Sequence, residues 1–170
     1  MRKIIRDGAI AEDHWQHVAD DAALPAGDII VGFARWQQER DALLRHDGRV
    51  GIRIDGDTSL LDIVDDLEHF ALIALNFPAF KDGRCYSHAR VLRERFRYGG
   101  ELRAVGDVLR DQLMYMSRVG INAFEVREDR SIADALNAFK EFSGYYQINP
   151  HGPIARDTRR QQRRAAVAAG

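Results

Sequence analysis

The feature that most constrains this chain is a repeated switch in its hydrophobic pattern. Short apolar runs typical of buried strands alternate with stretches in which apolar residues recur every three or four positions, the period of a helix. This alternation is typical of parallel strands joined by helices. We therefore predict an α/β fold with about five consecutive βα units forming a parallel sheet, either an open doubly wound sheet or an incomplete TIM-barrel-like arrangement.

The predicted elements follow one another along most of the chain. The helical stripe at 60–67 is the clearest, because its apolar residues stand at i, i+3, i+4 and i+7 and Ser59 precedes it as a helix N-cap. Strands are predicted at 28–31, 50–54, 71–75, 102–105 and 123–126. Helices are predicted at 33–44, 60–67, 87–96 and 108–118, with a last one that begins at Ser131.

Length and composition favour one globular domain with two irregular ends. The chain has 170 residues, of which 45% are hydrophobic and 30% charged, which is enough to build a single core. We divide it into an N-terminal arm at 1–26, a βα-repeat domain at 27–149 and a basic, flexible tail at 150–170. An alanine-rich basic end is more typical of a solvated extension than of a nucleic-acid-binding segment, so we do not expect nucleic acid to bind.

Composition and motifs exclude several classes of protein. No apolar run approaches the ~18 residues of a membrane span, and the first residues lack the apolar core of a signal peptide. We therefore expect a cytoplasmic protein with no membrane partner. The single cysteine, Cys85, cannot form an internal disulfide or a thiolate metal site. We find no nucleotide-binding glycine loop, flavin fingerprint or metal cage, and we predict no cofactor and no metal.

A long loop after the third predicted strand is the most informative segment. It places basic and hydroxyl side chains around the start of a helix, where free amide groups attract anions. One interpretation is a site for a small anion. The other is that Arg84 and Arg90 form salt bridges with acids such as Asp82 and Glu94 and close the edge of the domain. The side chains concerned are Lys81, Arg84, Tyr86, Ser87 and Arg90.

A second cluster lies at 101–112, where a predicted strand ends at Gly106 and a helix follows. Asp107 is interpreted either as the N-cap of that helix, the commoner role at such a junction, or as a catalytic carboxylate. Gly106 would let a ligand or another backbone approach closely. The next three side chains are too polar for the buried face and are assigned to the surface or to an interface: Arg110, Asp111 and Gln112.

Two pairs of residues suggest chemistry through patterns of low specificity. Cys85 with His88 has the composition of a nucleophile and its base, but no third orienting group or oxyanion site accompanies them, so a structural role is favoured. His14 and His17 could share one face and bind a metal. A solvated surface position is the commoner role for such a pair.

Three segments carry a family resemblance: 82–87, 100–112 and 122–125. The run Gly-Glu-Leu-Arg-Ala-Val-Gly-Asp-Val-Leu-Arg-Asp-Gln at 100–112 is long and specific. Together the segments resemble an uncharacterised bacterial family described as a probable oxidoreductase involved in sulfite reduction and encoded beside sulfite or nitrite reductase. The similarity covers about residues 27–147. It identifies no catalytic residue, and Cys85 stands where the family pattern has glycine.

The resemblance and the residues lead to two hypotheses. In the favoured one, the protein is an accessory protein of assimilatory sulfite reduction that binds or assists sulfite reductase. In the alternative, it is an enzyme acting on a small anionic sulfur or phosphate compound, with Arg84, Ser87 and Arg103 holding the anion. The predicted catalytic residue is Asp107, and the predicted ligand- or partner-binding residues are Arg84, Tyr86, Ser87, Arg90, Arg103, Gly106, Arg110, Asp111 and Gln112.

Overall fold

A computed structural model describes residues 1–79 and 81–141. The strands in this part of the chain are β1 Arg2–Arg6, β2 Ala9–Asp13, β3 Gln16–Val18, β4 Ile29–Gly32, β5 Val50–Ile54, β6 Leu72–Phe77, β7 Glu101–Gly106 and β8 Ala123–Phe124. The α-helices are α1 Phe33–Leu44, α2 Arg84–Glu94, α3 Arg110–Arg118 and α4 Ile132–Glu141. Two 3-10 helices, Leu60–Asp62 and Val64–His69, lie between β5 and β6.

The strands form one eight-stranded mixed sheet that curls into a half-barrel. Its order is β2-β1-β8-β7-β6-β5-β4-β3. Neighbours from β3 to β8 pair in parallel, whereas β1 pairs antiparallel with both β2 and β8. The predicted fold class, about five consecutive βα units in a parallel sheet, is therefore wrong. Antiparallel strands from the start of the chain extend the sheet beyond its parallel part.

The antiparallel strands come from residues that the sequence pattern left as an irregular arm. Asp7 and Gly8 join β1 to β2, and both have positive φ, 51° and 79°. Two consecutive residues with positive φ are typical of the tight hairpin turn whose twist matches that of paired strands. In β1, Ile4 and Ile5 are buried between charged neighbours. Such a short apolar run does not distinguish a strand from a loop.

The connection from β5 to β6 also differs from the prediction of an α-helix at 60–67. It consists of two 3-10 helices, whose hydrogen bonds span three residues, as from Asp62 N to Ser59 O. The side chain of Ser59 makes no capping hydrogen bond. Leu60 and Ile63 still face the core, because residues three apart share a face in both kinds of helix.

A contact between distant strands shows how strongly the sheet curls. Four strands separate β3 from β8, so in a flat sheet the two would lie about 24 Å apart at ~4.8 Å per step. His17 Nε2, on β3, nevertheless lies 2.9 Å from Oε1 of Glu125, the residue after β8. The sheet therefore bends around one face, which we call the concave face.

The two faces of the sheet are covered differently. The four α-helices and the 3-10 helices pack on the convex face, where they enclose the main hydrophobic core. The concave face carries a smaller apolar cluster around Trp15, which packs with Ile30, Leu72, Ala74 and Val105. Charged side chains occupy the neighbouring part of this face.

The first strands of the sheet lie within the segment that was predicted to be an N-terminal arm. Residues 2–18 supply three strands to the same sheet as the later residues, and the proposed tail at 150–170 lies outside the described residues. The division into arm, domain and tail stays a prediction. Within 1–79 and 81–141, no helix is long and apolar enough to cross a membrane.

Candidate functional site

The carboxyl ends of the parallel strands form an edge where the loops leading into the helices meet. Ligands commonly bind at this edge of a parallel sheet. Two hydrogen bonds cross this edge: Asn76 Nδ2, in β6, donates to Asp55 Oδ1 at 2.6 Å, and Arg127 Nη1 donates to Asp107 Oδ1 of another loop at 2.8 Å. We call this edge the rim; its described loops are 55–58, 78–79, 81–83, 107–109 and 125–131.

Arg84, the first residue of α2, is an exposed arginine held by a rim carboxylate. Its Nε donates to Asp82 Oδ1 at 3.0 Å and its Nη2 to Asp82 Oδ2 at 2.7 Å. This bidentate pair lowers the pKa of Asp82 to about 2 and raises the pKa of Arg84. One of the two salt bridges considered from the sequence is therefore present. A small anion would have to compete with Asp82 for the guanidinium group.

Arg84, Ser87 and Arg90 share one exposed stripe of α2, because residues three apart lie on the same side of a helix. Arg90 Nε lies 3.9 Å from Glu94 Oε1, and both side chains are more than half exposed. The second salt bridge considered from the sequence is thus present, with longer geometry. The stripe faces solvent and presents its polar groups outward.

The turn after β7 explains Gly106 and changes the role of Asp107. Gly106 has a φ of 93°, and a Cβ at this position would lie 2.5 Å from the carbonyl oxygen of Phe77. Any larger residue would be strained there. Helix α3 begins at Arg110 with Leu109 as its N-cap residue, so the prediction that Asp107 caps this helix is wrong. The Asp107 carboxylate instead accepts a hydrogen bond from Arg127 of the neighbouring rim loop.

At the start of α3, one of the three residues predicted to lie on the surface is buried. Arg110 is partly exposed and pairs with Glu141 and, at 3.8 Å, with Asp134 of α4. Asp111 is exposed. Gln112, which was assigned to the surface, is buried, as are Leu113 and Met116 of the same helix. Arg110 and Asp111 therefore remain available at the rim, and Gln112 does not.

Residues 51–155 match the model of a bacterial protein family of unknown function, DUF934. The chain belongs to this DUF934 family. The expectation that it is a member of an uncharacterised bacterial family is confirmed, and the matched span contains all the rim loops. No curated protein and no solved structure matches the chain.

The DUF934 protein buries one of its predicted binding residues completely. Arg103, in the middle of β7, has 0% of its side chain exposed and lies on the concave face. It donates to Glu101 at 2.8 Å, to Asp13 at 3.0 Å and to Glu125 at 2.9 Å. Arg2 also bonds Asp13 and Glu125. We call these five residues the ionic cluster.

The charges of the ionic cluster hold one another in the ionised form. Burial disfavours the charge of Arg103, but Glu101, Asp13 and Glu125 more than compensate and raise its pKa. Burial likewise disfavours the charge of Glu125, and hydrogen bonds from His17 and Arg103 outweigh it and lower its pKa. The guanidinium group of Arg103 is thus already matched by three carboxylates.

The sequence prediction missed the ionic cluster, although β7 held a signal for it. In Glu101–Val105 the buried core residues Leu102 and Ala104 alternate with Glu101 and Arg103, which places two opposite charges on one face of a strand. Asp13 and Glu125 come from segments about 90 and 20 residues away. Nothing local in the sequence pairs them with Arg103.

The structure separates the residues of the hypothesised anion-binding enzyme. Arg103 lies on the concave face beneath its carboxylate partners, whereas Arg84 and Ser87 stand on α2, which packs on the convex face. The sheet therefore lies between them. These three side chains do not line one site.

Tyr86, a predicted binding residue, and Cys85, the candidate nucleophile, both make contacts inside the fold near the rim. The ring of Tyr86 packs edge-on against Phe77 with 5.3 Å between centroids, and burial raises its pKa. Cys85 is buried, and its thiol donates to the carbonyl oxygen of Asn76 at 3.3 Å. Burial, together with nearby carboxylates, raises the pKa of Cys85 to about 12. A buried thiol with this pKa is not a nucleophile at neutral pH, so the structural role favoured for Cys85 agrees with its position.

The histidines of the N-terminal strands do not assemble a metal site in the described structure. His17 bonds both carboxylate oxygens of Glu125, at 2.9 and 3.1 Å. Across residues 1–79 and 81–141, no group of three or more histidine, cysteine, aspartate or glutamate side chains has an arrangement that could hold a metal ion. His17 instead links β3, at one edge of the curled sheet, to the residue that follows β8.

Proposed function

We propose that the protein is a cytoplasmic accessory protein of assimilatory sulfite reduction, which binds sulfite reductase through the arginines of its rim. The resemblance of 82–87 and 100–112 to a family encoded beside sulfite reductase supports this metabolic setting. Both segments lead into the rim: the first contains the start of α2, and the second contains β7 and the start of α3.

The observation that carries the proposal is the placement of Arg84 and Arg110. Each is the first residue of a helix that leaves the rim, α2 after β6 and α3 after the neighbouring strand β7. Their side chains are 58% and 37% exposed. Arginine is enriched at protein interfaces because its planar group offers five donors to a partner. Surface ion pairs are weak, so acidic groups of a partner can replace the present carboxylates.

The alternative, an enzyme acting on a small anion, receives less support from the geometry. The arginine intended to hold the anion inside the sheet, Arg103, is matched by three carboxylates. The sheet also separates Arg103 from Arg84 and Ser87. A binding surface for a protein needs only exposed donors, which Arg84 and Arg110 supply.

The experiment compares two double variants of the full-length tagged protein. Arg84→Ala/Arg110→Ala removes the rim arginines at the starts of α2 and α3. Arg95→Ala/Arg118→Ala removes the arginines at the opposite ends of the same two helices and is the matched control. Each protein is used to capture partners from a lysate of sulfur-limited cells and then titrated against purified sulfite reductase. Circular dichroism confirms that both variants are folded.

The proposal expects sulfite reductase to co-purify with the wild-type protein and with the control variant. The rim variant should bind at least about tenfold more weakly, equivalent to about 1.4 kcal/mol. Wild-type protein that does not bind purified sulfite reductase at all would overturn the proposal. Equal weakening by both variants would place the interface elsewhere than at the rim.

A further inference from the structure

The convex surface carries two ridges of opposite charge beside one another. The basic ridge lies on α2 and the turn that follows it, and the acidic ridge lies on the 3-10 helices between β5 and β6. The basic ridge is defined by Arg90 and Arg97, and the acidic ridge by Asp62, Asp65 and Glu68.

The basic ridge has charge that the rest of the described structure does not neutralise. Arg97 is exposed, and no described residue forms a hydrogen bond or an ion pair with its side chain. Arg90 has only the long contact of 3.9 Å with Glu94, and its side chain is 64% exposed. Both guanidinium groups can therefore bind a carboxylate from another molecule.

The acidic ridge is built by the geometry of the 3-10 helix. Side chains three residues apart point in the same direction in such a helix, so Asp65 and Glu68 of the second 3-10 helix share one side, and Asp62 ends the 3-10 helix before it. All three side chains are exposed. Within the described residues, neither aspartate side chain has a hydrogen-bond or ion-pair partner. Residues 54–80 contain no lysine or arginine. The exposed side chain of Leu61 lies next to this ridge.

The two ridges lie on the same side of the sheet. Leu60 and Ile63 beneath the acidic ridge, and Ala89 and Leu92 beneath the basic ridge, belong to one hydrophobic core. They cover consecutive connections, β5 to β6 and β6 to β7, between neighbouring strands. The segments that carry the acidic and the basic ridge therefore cover neighbouring parts of one convex surface.

We propose that two copies of this chain associate through these ridges around a twofold axis. When a basic and an acidic patch lie side by side, a twofold rotation between them brings the basic patch of each copy against the acidic patch of the other. The two contacts are then identical and both attractive.

The charges of the two ridges favour a second copy of the chain over another kind of partner. A partner of another kind would have to supply both an acidic and a basic ridge at the same separation, whereas a second copy supplies them by symmetry. The exposed Leu61 adds an apolar contact at the acidic ridge. This association does not depend on binding to sulfite reductase.

The test uses charge reversal in the full chain, followed by analytical ultracentrifugation from about 1 to 100 µM. One variant, Arg90→Glu/Arg97→Glu, makes the basic ridge acidic. The other, Asp65→Lys/Glu68→Lys, makes the acidic ridge basic. The control, Lys3→Glu/Glu12→Lys, exchanges two exposed charges that face each other in the β1–β2 hairpin.

We expect the wild type and the control to form dimers. Each ridge variant alone should have a dimer dissociation constant at least tenfold higher than that of the wild type. Mixing the two ridge variants should restore the dimer, because in that heterodimer both contacts again join opposite charges. A wild-type protein that stays monomeric over the whole range would overturn the proposal, as would a mixture that fails to associate while its two components are folded.

Discussion

Removal of the buried guanidinium of Arg103 provides the sharpest test of how this fold is held together. Arg103→Met keeps much of the side-chain volume but leaves three carboxylates on the concave face without their shared partner. Breaking a buried ion pair by removing one member costs about 3–5 kcal/mol. Because Arg2 still bonds Asp13 and Glu125, we expect the lower end, about 3 kcal/mol of unfolding free energy.

The same variant should change how stability depends on pH. In the wild type the pKa of Glu125 is lowered, so its stabilisation is present above the ordinary glutamate pKa of ~4.3 and is lost as the pH falls through the lowered value. Without Arg103 the pKa of Glu125 should rise, and a protonated Glu125 no longer needs the missing cation. The stability difference between wild type and variant should therefore shrink as the pH falls from about 7 to about 4.5.

Urea unfolding followed by tryptophan fluorescence measures both effects, because Trp15 and Trp36 are buried. A loss of 3 kcal/mol corresponds to a melting temperature lower by roughly 6–12 °C for a chain of this size. Arg95→Met, at an exposed position, is the matched control and should change stability by less than about 0.5 kcal/mol. An Arg103→Met protein within about 1 kcal/mol of wild type at every pH would refute the assigned role of the ionic cluster.

Three further predictions concern the rim. In carboxyl NMR titrations, Asp82 should titrate near pH 2 in the wild type and closer to the ordinary aspartate value of ~3.9 in Arg84→Ala; an unchanged titration would mean that Arg84 does not hold this carboxylate. Cys85 should resist alkylation by iodoacetamide at about pH 8 in the native protein and react once unfolded in urea; rapid native labelling would contradict its raised pKa. Gly106→Ala should lower the unfolding free energy by about 1–3 kcal/mol, because a Cβ would meet the Phe77 carbonyl oxygen; urea unfolding of unchanged midpoint would contradict the steric argument.

Local elements could be predicted where one periodic pattern dominated. The predicted strand at 50–54 and helix at 33–44 coincide with β5 and α1, and the buried residues Leu113 and Met116 of α3 stand at the expected spacing. At 60–67 the same reasoning failed, because i, i+3 spacing satisfies both an α-helix and the 3-10 helices that form there.

The candidate site was predictable to a similar extent. The sequence placed Arg84 and Arg110 near the starts of helices, although α2 begins three residues earlier than predicted and α3 two residues later. The two salt bridges of α2 could be anticipated from neighbouring residues. The partners of Arg103 could not, because Asp13 lies 90 residues away in the sequence. Gln112 was misplaced because its amide suggested exposure, whereas its position on α3 decides its burial.

The sequence by itself determined most of the strands and helices in the middle of the chain, with 60–67 as the exception, which loops lead into helices, and that Cys85 has no cysteine to pair with. These properties depend on spacing and composition over a few residues. Only the tertiary structure decided that the first strands join the sheet antiparallel, that the sheet curls until His17 meets Glu125, and that Arg2, Asp13 and Glu125 gather with Glu101 around the buried Arg103. Strand pairing and curvature depend on hydrogen bonds and packing between segments far apart in the chain, and local periodicity carries no information about such partners.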